Sequence, residues 1–392
     1  MSHEVFIVGR ARTPTGSLGG ALSTVPAPQL GALCIATALK RGRVPPDKVN
    51  EVIFGNVISA GLGQNPARQA ALQAGLSVGV GATTVNKVCG SGLKAVMLAT
   101  QAIQLNEAEI IVAGGMESMS LAPYLLPKAR TGYRLGDGVL VDSMLYDGLR
   151  DAYDDKPMGT YGDQCAAKFQ FTRQQQDDFA VRSYQRARTA IAEGIFADEI
   201  VPVPVTTRKL TVTVTDDEEP ARFEEAKLRS LKPAFDQHGT ITAGNASSIN
   251  DGAAALVVAS DTACKNLNLA PQARIVGAAT FSTEPQWFTT APIGAMKKLF
   301  EKIGWTAETT DLFEINEAFA AVAMAAAHEL KIPAEKLNIY GGAVALGHPI
   351  GASGARILVT LFTALHRTKT KRGIAALCLG GGEAVAMAVE AL

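Results

Sequence analysis

A chain of 392 residues with 47% hydrophobic and 19% charged side chains is long enough for two or three domains around a well-buried core, and it reads as a soluble globular enzyme. Its 37 basic and 37 acidic residues cancel, so no global field draws it to nucleic acid or to an anionic membrane, and an anionic ligand must be met by local donors. The 5 cysteines include no CxxC pair, which argues against a disulfide framework or a zinc knuckle and fits reduced thiols in the cytoplasm.

Met1 and Ser2 lead directly into the strand-like run from His3 to Val8, without the basic and apolar regions of a signal peptide. No apolar stretch reaches the roughly 20 residues that span a bilayer, and the end, Val389-Glu390-Ala391-Leu392, carries no peroxisomal tripeptide. Further along, Glu51-Val52-Ile53-Phe54-Gly55-Asn56 is a second strand-like run. At residues 85–96 an apolar approach ends on Cys89, and Gly90-Ser91-Gly92 releases a helical pattern over 93–105. A thiol at a helix N-terminus has its thiolate favoured by the dipole and free N–H groups, and glycine lets a carbonyl approach the main chain. Cys89 is therefore either a nucleophile or a small packed hydrophobe.

The run Ile111-Val112-Ala113-Gly114-Gly115-Met116-Glu117 is strand-like. Residues 121–240 then turn charged and irregular, with Pro123, Pro127, Pro157, Pro202 and Pro204 and an amphipathic helix over 173–193, and read as an insertion. Within it, Asp216-Asp217-Glu218-Glu219-Pro220 is expected to be a solvated turn. Beyond it come Thr242-Ala243-Gly244-Asn245-Ala246-Ser247-Ser248, the strand-like Asp311-Leu312-Phe313-Glu314-Ile315 ending on Asn316, and a glycine-flanked His348 before a helical pattern over 355–365. Cys378 ends the strand-like Gly373-Ile374-Ala375-Ala376-Leu377 and runs into Gly380-Gly381-Gly382. Taken singly, Cys378 also reads as core, His348 as a loop histidine and Asn316 as a helix cap. Cys34, Cys165 and Cys264 are core candidates.

The two ends of the chain repeat weakly. Residues 51–56 parallel 311–316, Gly90-Ser91-Gly92 parallels Ala352-Ser353-Gly354, and residues 111–117 parallel 377–383. Strand-length runs alternating with helical patterns indicate an α/β layered fold, and the repeat points to duplication. Equivalent helices after Cys89 and after the His348 loop would then face each other with their N-termini.

These blocks, in this order, resemble the signature segments of the thiolase family, closest to the enzymes that make acetoacetyl-CoA from acetyl-CoA, and the resemblance covers essentially the whole chain. It implies an α/β fold of duplicated αβαβα layered halves with an inserted loop domain. The N-terminal half would span residues 1–120, with 241–268 returning to it, the C-terminal half 269–392, and the loop domain 121–240, covering coenzyme A and supplying a tetramerisation segment at residues 124–134. By matching positions, Cys89 is the acylated nucleophile, His348 its base, and Cys378 the acid/base at the alpha carbon. Asn316 holds a water that joins His348 in binding the enolate oxygen, the N–H groups of Cys89 and Gly380 form a second oxyanion hole, and Glu317 orients Asn316 or its water.

The resemblance also implies substrate contacts. Ser247 matches the pantetheine contact, and Ala246, Ala318, Phe319, Met158 and Phe288 border the acyl and coenzyme sites. Arg222, Lys227, Arg229 and Lys232 are candidate phosphate neighbours. Potassium would lie near Tyr184, Ala243, Ala246 and Val344, while coenzyme A comes and goes as substrate and product and no cofactor is held tightly. The implied state is a cytoplasmic homotetramer, a dimer of dimers, acting on acyl-CoA, with neither nucleic acid nor membrane as partner, in fatty-acid, ketone-body or polyhydroxyalkanoate metabolism.

Two positions depart from the family pattern: Pro157-Met158-Gly159 lacks a histidine before Met158, and Glu383 follows the Gly380 turn. The alternatives are a broader 3-ketoacyl-CoA thiolase of β-oxidation, a decarboxylating ketoacyl synthase, which Cys378 argues against, a non-catalytic acyl-CoA carrier, and a redox switch using Cys89 and Cys378.

Overall fold

Why the chain folds into layers is visible in its strands. In the computed structural model, which describes residues 3–206 and 210–392, the runs richest in Ala, Val, Ile and Leu are buried on both faces, as sheets covered by helices on both sides require. The expectation drawn from Met1 and Ser2 lies outside the described residues.

In the first half the strands are β1 (Val5–Arg12), β2 (Glu51–Gly55), β3 (Gly81–Val85), β4 (Ile110–Ser118) and β5 (Asn250–Ser260). They lie in the order β1-β5-β4-β2-β3, antiparallel from β1 to β4 and parallel from β4 to β3. The second half repeats this with β6 (Ala273–Ser282), β7 (Leu312–Ile315), β8 (Arg372–Leu379) and β9 (Glu383–Ala391) in the order β6-β9-β8-β7. Its fifth position is reduced to a parallel bridge between Phe313 and Leu337. The halves join edge to edge where Phe6 and Ile7 of β1 pair with Arg274 and Ala273 of β6.

Even irregularities recur. Register slips between Ile7 and Gly9 in β1, and again between Ile275 and Gly277 in β6. Duplication of one folding unit accounts for the same bulge appearing at both places.

Helix α1 (Ala27–Gly42) covers the first half from outside. Helix α2 (Ser91–Gln104) begins just after Cys89, two residues earlier than the apolar pattern predicts. In the insertion, α3 (Met158–Lys168) and α4 (Arg173–Ala192) follow, α4 starting on a capping box made by Thr172 and Gln175. Helix α5 (Ala291–Ile303) is the counterpart of α1 and covers β6, and α6 (Ala320–Leu330) leads away from the Asn316 loop. Helix α7 (Ile350–Thr368) is longer than predicted and buried from Ile350 through Leu365. A helix buried on every side must lie inside the protein, and α7 packs on α2, on β4 and β5 of one half, and on β7 and β8 of the other.

The α2–α7 crossing depends on the repeated glycines. A Cβ on Gly92 would stand 2.8 Å from Ala355 N, and one on Gly354 would stand 2.4 Å from Leu93 N, so main chain meets main chain. At the N-terminus of α7, Glu117 is fully buried and accepts from Gly351 N at 2.9 Å, Asn56 Nδ2 at 2.9 Å, Val57 N at 3.0 Å and Ile58 N at 3.2 Å. One carboxylate thus ties the end of β4 to the loop after β2 and to the helix that follows His348. Burial pushes it up to about 7, while its N–H donors pull the other way.

The insertion is locked to this core by a buried charge cluster. Arg12, fully buried, donates to Glu199 at 2.6 Å and in a fork to Asp217 at 2.7 and 2.9 Å, and Glu199 also accepts from the hydroxyls of Thr360 and Thr363 on α7. This corrects the reading of residues 216–220 as a solvated turn. Asp217 is 2% exposed, Glu218 accepts from Ser17 N and Ala21 N, and Pro220 is buried, because a buried arginine and unpaired main-chain donors outweigh the hydration of an acidic run.

Gly354→Ala is expected to force α2 and α7 apart. It should lower unfolding stability by about 1–3 kcal/mol, as overpacking does, seen in urea melts as a lower midpoint with unchanged slope.

Candidate active site

Three turns meet at the top of the α2–α7 crossing. The first is an elbow between β3 and α2. Val88 sits at φ 45°, a left-handed conformation that a β-branched side chain resists at a cost of about 1–3 kcal/mol. Hydrogen bonds over-determine it: Val88 N donates to Asn86 Oδ1 at 2.9 Å, and Ser91 Oγ donates to Val88 O at 2.6 Å and accepts from Lys87 N at 2.8 Å. The elbow presents Cys89, whose thiol is enclosed although the residue keeps some exposed surface, to a cleft of about 530 Å³.

The second turn carries His348 between Gly347, at φ 93°, and Pro349. Its main-chain N–H donates to Asn250 Oδ1 at 2.9 Å, and a Cβ on Gly347 would collide with that same Asn250 side chain. His348 Nδ1 lies 2.6 Å from Ser353 Oγ, whose hydroxyl also lies 2.8 Å from Pro349 O. With the serine proton given to Pro349 O, Nδ1–H donates to Ser353 and Nε2 keeps its lone pair. Nε2 has no hydrogen-bond partner among the described residues, and His348 lines the cleft. Asn316 is fully buried, its Nδ2 3.5 Å from His348 Nδ1 and its Oδ1 without a partner among the described residues. A buried amide oxygen left over in a polar corner is a place for one water.

The third turn follows β8. Cys378 is 1% exposed and lines the cleft together with Gly380, while Gly381 and Gly382 take φ values of 87° and 86° that glycine alone adopts freely. Glu317 does not face Asn316. It accepts from Asn338 Nδ2 at 2.7 Å, Ser183 Oγ at 2.7 Å and Val344 N at 3.1 Å, holding the loops behind the site, so the expectation that it orients Asn316 by direct contact is corrected.

Electrostatics depart from the helix-terminus argument. Burial pushes the Cys89 thiol up to about 12 and outweighs the N–H groups of Gly380 and of Cys89 itself, which lower it, while Glu117 raises it further. Cys378 is raised too, first by burial and then by Cys89. His348 is pushed down to about 3, by burial and then by Arg356. The resting site therefore holds two neutral thiols and a neutral imidazole, and the thiolate must be made by proton transfer.

Most of the expected contact residues share this cleft: Met158, Arg222, Ala243, Ala246, Ser247, Phe288, Ala318 and Phe319 all line it. Ala246 bridges to Phe319, and Ser247 donates both its N–H and its hydroxyl to Ala318 O at 3.0 Å, which leaves the Ser247 oxygen free to accept. Lys227, Arg229 and Lys232 do not line it, and Arg229 is engaged by Asp178 and Glu225. Tyr184 lies apart, stacked on Phe223 with centroids 4.6 Å apart and packed with Val344. Sequence reasoning missed Ser353, Asn250 and Glu117, polar residues whose signal was burial beside glycine turns.

Two family models cover this chain, "Thiolase, N-terminal domain" over residues 5–262 and "Thiolase, C-terminal domain" over 269–391. The chain belongs to the thiolase family. This thiolase is 53% identical over 100% of its length to acetyl-CoA acetyltransferase 2 of Arabidopsis thaliana, covering 98% of that protein. It is 50% identical to the acetyl-CoA acetyltransferase of Cupriavidus necator, covering 99% of each. Among solved structures, the Bacillus anthracis acetyl-CoA acetyltransferase superposes with TM-score 0.98 at 43% identity, over 100% of this chain and 99% of that one. A thiolase of Ascaris suum in complex with coenzyme A superposes with TM-score 0.94 at 43% identity, over 99% of this chain and 100% of that one.

Because burial raises the thiol, the thiolate fraction of Cys89 at neutral pH is small and grows as pH rises. Alkylation of Cys89 by iodoacetamide in the free enzyme, followed by peptide mass spectrometry, should keep accelerating above the ordinary thiol range near about 8.5. A rate already level below that pH would contradict a neutral resting pair.

Proposed function

We propose that this thiolase is an acetyl-CoA C-acetyltransferase, an acyltransferase that condenses two acetyl-CoA to acetoacetyl-CoA and coenzyme A and runs the reverse thiolysis. The observation that carries the proposal is the meeting of Cys89, Cys378, His348 and the Gly380 main chain in one cleft. In the first half-reaction His348 Nε2 takes the Cys89 proton as sulfur attacks the thioester carbonyl. The oxyanion rests on the N–H groups of Cys89 and Gly380, and the leaving coenzyme A thiolate takes a proton from Cys378. Acetyl-Cys89, a Cys378 thiolate and a protonated His348 remain.

In the second half-reaction Cys378 removes the alpha proton of another acetyl-CoA. The enolate oxygen is met by His348 and by a water on Asn316, whose unpartnered Oδ1 suits that task. The enolate carbon attacks acetyl-Cys89, the tetrahedral intermediate expels the Cys89 thiolate, and His348 returns its proton. Fixed donors cost no reorganisation as charge moves, which is why glycine-rich turns serve here.

The same reading extends to the rest of the molecule. Residues 121–240 act as a loop domain over coenzyme A, beside halves at 1–120 with 241–268 and at 269–392. Arg222, about half exposed at the cleft, is the phosphate neighbour that remains from the basic set. A homotetramer is supported by apolar side chains turned to solvent in this insertion, including Tyr124, Leu126, Leu135 at 99% exposure, Val139 and Leu140. Potassium would be held by the Tyr184 phenol, packed beside Val344, together with the carbonyls of Ala243, Ala246 and Val344, hard oxygen donors of the kind such a cation takes; bound there, it would steady the loop carrying Ser247. Five free cysteines are consistent with the cytoplasm. No helix among the described residues is long and apolar enough to cross a membrane.

Chain length is limited by Phe288, 3% exposed and wedged edge-on against Tyr161 with centroids 5.9 Å apart, a floor rather than a gate. Each methylene denied burial forfeits about 0.8 kcal/mol, which favours the acetoacetyl reading over a broad 3-ketoacyl-CoA thiolase. Acetoacetyl-CoA should be cleaved well and 3-ketohexadecanoyl-CoA poorly, with Phe288→Ala moving preference toward longer chains; efficient cleavage of the long substrate by the parent enzyme would favour the broad reading.

Roles of the thiols separate in a labelling experiment. Cys89→Ala should abolish acyl-enzyme formation from acetyl-CoA. Cys378→Ala keeps the nucleophile and its base and should still acylate, slowed by the missing proton to the leaving thiolate, but lose alpha-proton exchange by a factor of about 10²–10⁴. Equal acylation of both variants would sink the assignment.

A further inference from the structure

Glu383 follows the Gly380 turn where the family pattern does not lead one to expect a carboxylate, and its side chain reaches the other catalytic loop. Lys87, just before the strained Val88 and Cys89, pairs through Nζ with Glu383 Oε2. Glu383 Oε1 accepts from Ser282 Oγ at 3.1 Å, which fixes the carboxylate from its far side. The two side chains are only 21% and 33% exposed, so water screens the pair incompletely. Burial and then Cys89 are the main causes of the raised Cys378 thiol, with Glu383 not among them.

The shorter side-chain bonds that hold the elbow lie within it, from Asn86, Lys87 and Ser91, and Asn86 Nδ2 reaches out only to Val57 O, at 3.5 Å. Facing it across the gap is the Gly380 turn, against which the elbow rests so closely that a Cβ on Gly90 would lie 2.6 Å from Leu379 Cδ2. That turn also supplies the Gly380 N–H that bears on the Cys89 sulfur. Small sideways movement of either loop would spoil that alignment, and a misplacement of about 1 Å is enough to cost a large factor in rate.

We propose that the Lys87–Glu383 ion pair is a positioning strap: it holds the Cys89 elbow on the Gly380 turn, and so sets both the donor to the Cys89 sulfur and the spacing between the acyl group and Cys378. Its effect on turnover rests on the acyl-transfer reading; its effect on the Cys89 thiol does not. A partly exposed pair contributes little to global stability, so variants should melt close to the parent enzyme.

The test uses Glu383→Gln, Lys87→Met and the exchange Lys87→Glu with Glu383→Lys in the full-length enzyme. Each single variant should lose about tenfold in kcat for acetoacetyl-CoA thiolysis while KM stays within about twofold, and should alkylate Cys89 with iodoacetamide several-fold more slowly. The exchange should recover most of both losses. Parent-like alkylation in both single variants, or an exchange no better than either, overturns the strap. A parent enzyme that fails to cleave acetoacetyl-CoA would instead count against the proposed function, and the alkylation comparison would still decide the strap.

Discussion

Helices α2 and α7 touch through main-chain atoms at Gly92 and Gly354, and Cys89 and His348 are both placed by reference to that contact. Cys89 stands just before one helix and His348 just before the other, so the distance between this thiol and this imidazole follows from how closely the two axes approach. Glu117 then fastens the N-terminus of α7 to the loop after β2, and the Arg12 cluster fastens the insertion to the far part of α7. Rigid elements carry the chemistry and buried charges fasten the elements, which is the arrangement preorganised catalysis needs.

Much of this could be read in advance, and for identifiable reasons. The alternation of apolar runs and turns gave the layers because both sheet faces are covered, and the paired Gly-Ser-Gly and Ala-Ser-Gly turns gave the internal repeat because only small residues allow the crossing. Cys89, His348, Cys378 and Gly380 were legible as candidates since glycine on either side of a reactive residue is costly unless the main chain must be reached.

What was not legible depends on contacts between distant segments. The acidic run at 216–220 looks like any solvated turn until Arg12, far away in sequence, is seen to need it. Glu317 sits beside Asn316 in the chain yet points to Asn338 and Ser183, because adjacent residues leaving a strand face opposite ways. The helix-terminus argument for Cys89 was sound in direction, but burial is the larger effect here, and burial is a property of the fold rather than of the local sequence.

The neutral resting thiols have a bearing on how such an enzyme survives its surroundings. Peroxide reacts with thiolate, scarcely with thiol. An enzyme whose Cys89 and Cys378 keep their protons while idle offers little to an oxidant, and a disulfide between them would need one to ionise first. Under the proposed mechanism, vulnerability would be confined to the working cycle, when His348 accepts a proton while acyl chain and pantetheine fill the cleft, so that the substrate itself would serve as the shield.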